Sequence, residues 1–146
     1  MLQALQLIAT LAATLFAGAA LYINVAEHPA RMALETRMAA LQWAPSYRRA
    51  TLLQAPLALL SLVAGTSAWL MGASVAWFAA AVLIGLVVPF TFVVVMPTNR
   101  RLLDQGRDIA SAETRALLEK WNKLHAVRTA LSLVASLIYL WLLREA

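Results

Sequence analysis

Hydrophobic and charged positions in this chain fall into long blocks rather than alternating. From Ala50 to Asn99, fifty residues pass without one Asp, Glu, Lys, Arg or His. A helix needs roughly 20 apolar residues to cross a hydrocarbon layer about 30 Å thick, so this run predicts a helix out, a tight turn at Met71-Gly72-Ala73-Ser74 and a helix back. Apolar runs from Met1 to Ala26 and from Thr129 to Leu143 flank it, and the charge lies in the segments between. The expected class is all-α: an integral membrane four-helix bundle with amphipathic helical connections on the cytoplasmic side. It forms a single transmembrane domain over 1–146, with spans at about 3–25, 50–71, 75–96 and 125–143.

Composition supports that reading. The chain is 62% hydrophobic and 13% charged, against about 25% charged residues in soluble domains. It has no cysteine, which excludes disulfides, thiolate metal sites and cysteine nucleophiles. The first apolar run lacks the basic start of a secretory signal and is longer than its usual apolar core, so it is expected to stay as a span. The net charge of +5 reports topology first. Arg31, Arg37, Arg48 and Arg49 lie in one connection, and Arg100, Arg101, Arg107, Arg115, Lys120 and Lys123 in another on the same face. The positive-inside rule places both in the cytoplasm and both termini on the opposite side.

Within the connections, Ala33 to Trp43 is expected to form a helix along the headgroups, broken by Ala44-Pro45-Ser46 before the second span. Pro97-Thr98 is expected to stop the third span and start a short helix, Asn99 to Gln105, closed by Gly106. Ser111 is placed to cap a last helix that continues without Pro or Gly to Leu143, roughly 48 Å at 1.5 Å per residue. Ala13 with Ala17, and Ser61 with Gly65, put small residues four apart, where helix backbones in lipid approach closely. Pro56 and Pro89 each free a carbonyl inside a span and favour a bend. Trp43, Trp69, Trp77, Trp141, Tyr22, Tyr47 and Tyr139 read mostly as an interfacial aromatic belt.

Candidate chemistry gathers where two spans meet the basic face. Asn24, Glu27, His28 and Arg31 share one helix face if the first span continues, whereas Pro29 could instead start a new helix with His28 at its cap. Trp121, His125 and Arg128 share a face of the fourth span. Only fifteen residues separate Arg128 from Arg144, about 22 Å of helix, so Arg128 is expected near or inside the apolar boundary. Ionisable groups at that depth face a bundle interior, a partner or water, or snorkel to lipid phosphates.

Three strings, Asn24-Val-Ala-Glu27-His28-Pro29-Ala-Arg31, Pro97-Thr98-Asn99-Arg100-Arg101-Leu102 and Trp121-Asn-Lys-Leu-His125-Ala-Val-Arg128, resemble the anthrone-oxygenase-like family of small four-span membrane proteins. The resemblance covers nearly the whole chain. It implies that these motifs end span one, end span three and open span four, and it suggests oxygenation without a recognised prosthetic group. Such an oxidation removes a proton from carbon and passes an electron from the resulting enolate to dioxygen. Neutral imidazole suits the proton transfer. The expected catalytic residues are therefore His28, His125, Asn99 and Arg128, with Asn24, Arg31 and Trp121 binding substrate.

A metal reading stands beside this one. His28, His125 and Glu27 make a 2-His-1-carboxylate set of the non-haem iron type, and the two His could also take haem or copper. The cofactor is accordingly open between none and iron, copper or haem. The expected function is oxidation of an apolar, aromatic or phenolic molecule in a pocket at the cytoplasmic face. The alternative is a non-enzymatic accessory subunit, lipid-binding module or small-molecule carrier. Expected partners are membrane lipids, an apolar small molecule, and a homo-oligomer or larger membrane complex; no nucleic acid is expected. Phosphate loops, nucleophile elbows and dinucleotide fingerprints are missing, which argues against nucleotide hydrolysis and serine hydrolase chemistry.

Overall fold

The computed structural model describes residues 1–145. Four helices long and apolar enough to cross a membrane make up the bundle: α1 (Leu2–Met32), α2 (Thr36–Leu70), α3 (Val75–Leu103) and α4 (Ala112–Glu145). The chain is an all-α multi-pass membrane protein. α1 packs chiefly on α2 and α4, and α3 fills the remaining corner against α2 and α4. All connecting charge lies at one end, and the α2–α3 turn at the other end has none.

That uncharged turn ends α2 by a Schellman arrangement. Gly72, at φ 99°, donates to the Trp69 carbonyl, and Ala73 donates to that of Ala68. A positive φ requires glycine here. Ser111 starts α4 as expected, its Oγ accepting from the Thr114 N–H at 3.1 Å. The helix then runs 34 residues, roughly 51 Å at the standard rise.

Prolines do not stop these helices as expected. α2 runs unbroken through Pro45 and Pro56 from Thr36, so no separate helix lies along the headgroups before the second span. Neither does His28 cap a new helix, nor does Pro97-Thr98 end the third span. Pro29 and Pro97 are each preceded by a widened π turn, Ile23–Glu27 and Thr91–Val95 respectively. There the His28 N–H reaches the Ile23 carbonyl and the Met96 N–H reaches that of Thr91. The longer i→i−5 bonds make room for a ring that would otherwise press on the preceding turn, so the helix continues. Gly106 likewise closes no helix: the chain leaves α3 at Leu103, and the Gly106 N–H bonds Asp104 Oδ1.

Close packing of the uncharged half follows its small residues. Ala9, Ala13, Ala64, Ala68, Ala80 and Ala81 surround Trp77 and Tyr139. Ser61 Oγ donates to the Ala9 carbonyl at 2.9 Å, and a Cβ on Gly65 would overlap the Tyr139 hydroxyl. The aromatic belt is thus smaller than expected. Trp43, Trp77 and Tyr139 are core residues, while Tyr22, Trp69 and Trp141 face outward.

Candidate functional site

At the charged end the helices carry their polar cargo inward. The π turn in α1 keeps Asn24, His28 and Arg31 facing α4 and α2, and both His28 and Arg31 are buried. Arg31 forms an ion pair with Glu27 and hydrogen bonds Gln42 and Ser46 of α2, while Ser46 also donates to Glu27. Its Nη1 stands 3.1 Å from His28 Nδ1. Guanidinium only donates, so His28 Nδ1 accepts, and a neutral His28 carries its proton on Nε2.

A second relay fixes His125 the opposite way. Asn24 Nδ2 donates to the backbone carbonyl of Asn122 at 3.1 Å and to Asn122 Oδ1 at 2.7 Å. Because that carbonyl can only accept, the Asn24 amide cannot be flipped. Its Oδ1 then faces His125 Nδ1 at 2.9 Å and also accepts from the Thr129 hydroxyl. Nδ1 of His125 must donate, so the lone pair of the neutral ring is on Nε2. Two imidazoles on neighbouring helices therefore present unlike faces, one N–H and one lone pair.

The Trp121 indole contacts both rings, with centroids 5.4 Å from His28 and 4.9 Å from His125, and meets Trp43 edge-on at 5.8 Å. Asn99 is fully buried on the α3 stripe Val95, Thr98, Asn99 and Leu102, whose apolar members pack against Trp43, Leu117, Leu118 and Trp121. Several groups here have no protein partner: His28 Nε2, both side-chain amide atoms of Asn99, and the indole nitrogens of Trp43 and Trp121. Buried polar atoms are normally satisfied, and five of the seven without a protein partner among the described residues lie at this end. A cleft of about 360 Å³ lined by His28, Met32, Arg115, Glu119 and Asn122 opens beside the His28 ring.

The structure brings His28, His125, Asn24, Arg31 and Trp121 into one cluster and points the Arg128 guanidinium to other partners. Arg128 Nη2 donates to Gln54 Oε1 of α2 at 2.9 Å, and its guanidinium carbon lies 5.6 Å from the Phe16 ring. It lines a different cavity, between α2 and α3. The expected metal set is not assembled either. Among the described residues no three His, Cys, Asp or Glu side chains converge, and the Glu27 carboxylate is taken up by Arg31 and Ser46. Sequence reasoning missed Gln42, Ser46, Gln54, Asn122 and Thr129. Gln54 alone carried a signal, as a lone amide inside an uncharged span.

Four apolar spans with a buried cluster of imidazole, guanidinium and amide groups toward the charged end define a small multi-pass membrane protein. This chain belongs to the anthrone oxygenase family, whose model matches residues 43–138. That stretch contains Asn99, Trp121, His125 and Arg128, whereas Asn24, His28 and Arg31 precede it. Over 62 residues the chain is 44% identical to the anthrone oxygenase tpcL of Aspergillus fumigatus (strain ATCC MYA-4609 / CBS 101355 / FGSC A1100 / Af293), an alignment covering 40% of this chain and 38% of that protein. No solved structure matches it.

Proposed function

We propose that this protein is a membrane oxidoreductase that converts a flat, apolar carbon acid of the anthrone type to the corresponding quinone with dioxygen. The observation that carries the reading is the Asn122–Asn24–His125 relay, which leaves the lone pair of a buried neutral imidazole on Nε2, while a second imidazole against the same Trp121 indole carries an N–H. His125 Nε2 takes the proton from the activated C–H group. The His28 Nε2–H and the Asn99 amide, all without protein partners, hydrogen bond the carbonyl oxygen as it becomes enolate. The enolate gives one electron to dioxygen, the resulting radicals combine at carbon, the protonated His125 returns its proton to the peroxide, and the hydroperoxide loses water to leave a second carbonyl. One dioxygen is consumed and one water released per quinone formed. Trp121 supplies an aromatic wall for the ring system. Family membership and the name of the Aspergillus relative favour anthrones among carbon acids. The basic connections face the cytoplasm in this reading, by the positive-inside rule.

Purified protein in lipid nanodiscs, given anthrone in air-saturated buffer, is expected to speed oxygen uptake and anthraquinone formation above the spontaneous rate. His125→Ala should lower the catalysed rate by about 10²-fold or more, the usual scale of a general base, and His28→Ala by less. Wild-type protein no faster than empty nanodiscs, or a His125→Ala variant as fast as wild type, would overturn the proposal.

A further inference from the structure

Arg128 sits inside a span with no acidic partner among the described residues. Its recorded polar contact is the Gln54 amide, and its Nε is buried without any partner. The side chain does not turn back toward the charged end. Thr129, its neighbour on α4, hydrogen bonds Asn24, yet the guanidinium lies over Phe16. Phe16 stands eight positions from Asn24 along α1, about 12 Å deeper into the bundle. Snorkelling to a headgroup would carry the cation the other way.

That guanidinium lines a cavity of about 200 Å³ whose other walls include Phe16, Ala58 and Val87 inside and Thr51 and Phe92 at the lipid surface. The cavity lies beside the proline-containing turn of α3. Pro89 leaves the Gly85 carbonyl without its i+4 donor, while the helix continues through Leu86, whose N–H donates to the Val82 carbonyl and whose carbonyl accepts from Phe90. A lone cation in such surroundings is costly unless an anion joins it. Gln54 offers none: its Oε1 accepts from Arg128 and its NH₂ group has no partner.

We propose that this cavity is a binding site, separate from the imidazole cluster, for a membrane-dissolved organic monoanion. The occupant is a carboxylate or phenolate on a compact apolar body, its oxygens on the Arg128 guanidinium and its body against Phe16, Ala58 and Val87. A lipid phosphate shares the charge but is tethered at headgroup depth, so the free acid is the occupant assigned.

The probe is 2-naphthoate, followed by its fluorescence on the full-length protein in maltoside micelles, with neutral 2-naphthalenemethanol as the uncharged comparison. Wild type is expected to bind 2-naphthoate at least tenfold more tightly than the alcohol. Arg128→Gln should abolish that preference, and Lys123→Ala should keep it. Ala58→Leu, which fills the cavity and keeps the cation, should weaken both probes and so covers the case of a misfolded Arg128 variant. Equal binding of the two probes by wild type, or an unchanged preference in Arg128→Gln, would overturn the site. Native mass spectrometry with added phosphatidylglycerol supplies the other arm. Phosphatidylglycerol retained in an Arg128-dependent way while 2-naphthoate fails to bind would assign the cation to lipid phosphate and overturn the proposal. Because His125 is untouched in these variants and no turnover is read, the outcome does not depend on the oxygenase reading.

Discussion

The two halves of the bundle use the same four helices to opposite ends. Toward the uncharged turn, alanines bring backbones together, the Ser61 hydroxyl is taken by a carbonyl of α1, and Gly65 makes room for the buried Tyr139 hydroxyl. Toward the charged end, two π turns, a buried guanidinium against the His28 imidazole, and a set of unpartnered amide and indole atoms replace that economy. Lipid gives little hydrophobic drive for helices to associate, so close contact in one half must hold the bundle together. The other half is then free to keep polar groups that packing alone would reject.

The sharpest way to break this contrast is to loosen the packed half. Gly65→Val would press on Tyr139 and on Ala81, whose Cβ would lie 3.0 Å from the first added carbon. Overpacking of this kind costs about 1–3 kcal/mol or more, and a thermal melt in detergent should show a large drop, whereas Asn99→Leu in the other half should leave the melt unchanged or raise it. A smaller effect is expected from Asn24→Ala. Loss of the acceptor frees the His125 ring to change tautomer, so anthrone oxidation should fall roughly tenfold while the fold is retained, this relay hydrogen bond being worth on the order of 1 kcal/mol. The mildest probe concerns the compartments the two ends meet. With no native cysteine, Gly106→Cys and Ser74→Cys, the latter at an exposed position whose side chain makes no cap hydrogen bond, can each be labelled alone in intact cells by an impermeant maleimide. Reaction at position 74 and protection at position 106 is the expected result, with stability and activity unaltered.

Much of the fold was legible because lipid imposes a simple demand. Fifty uncharged residues leave no choice but two spans, and the serine at position 111 announces α4 by the same chemistry that caps soluble helices. Prolines misled because a stop signal weighs differently when neighbouring helices and a single widened turn can absorb it: Pro29, Pro45 and Pro97 all lie within continuous helices. Site residues were legible as far as helix spacing reaches. The 24, 28, 31 and 121, 125 positions do meet, since spacing fixes which face a Cβ leaves from. It does not fix where a long side chain ends, so Arg128, three residues from His125, finishes over Phe16 in another cavity. Trp43, Trp77 and Tyr139 show a similar limit, since amphipathic aromatics near a span end suit an interface and a core equally well.

The mouth of the Arg128 cavity, flanked by Thr51, Ala55 and Phe92 on the outer surface of α2 and α3, opens sideways. Any guest entering there comes from the acyl chains, not from water. Its supply is therefore counted as mole fraction per lipid, and diluting the bilayer with inert phospholipid lowers occupancy even when the bulk dose is held constant.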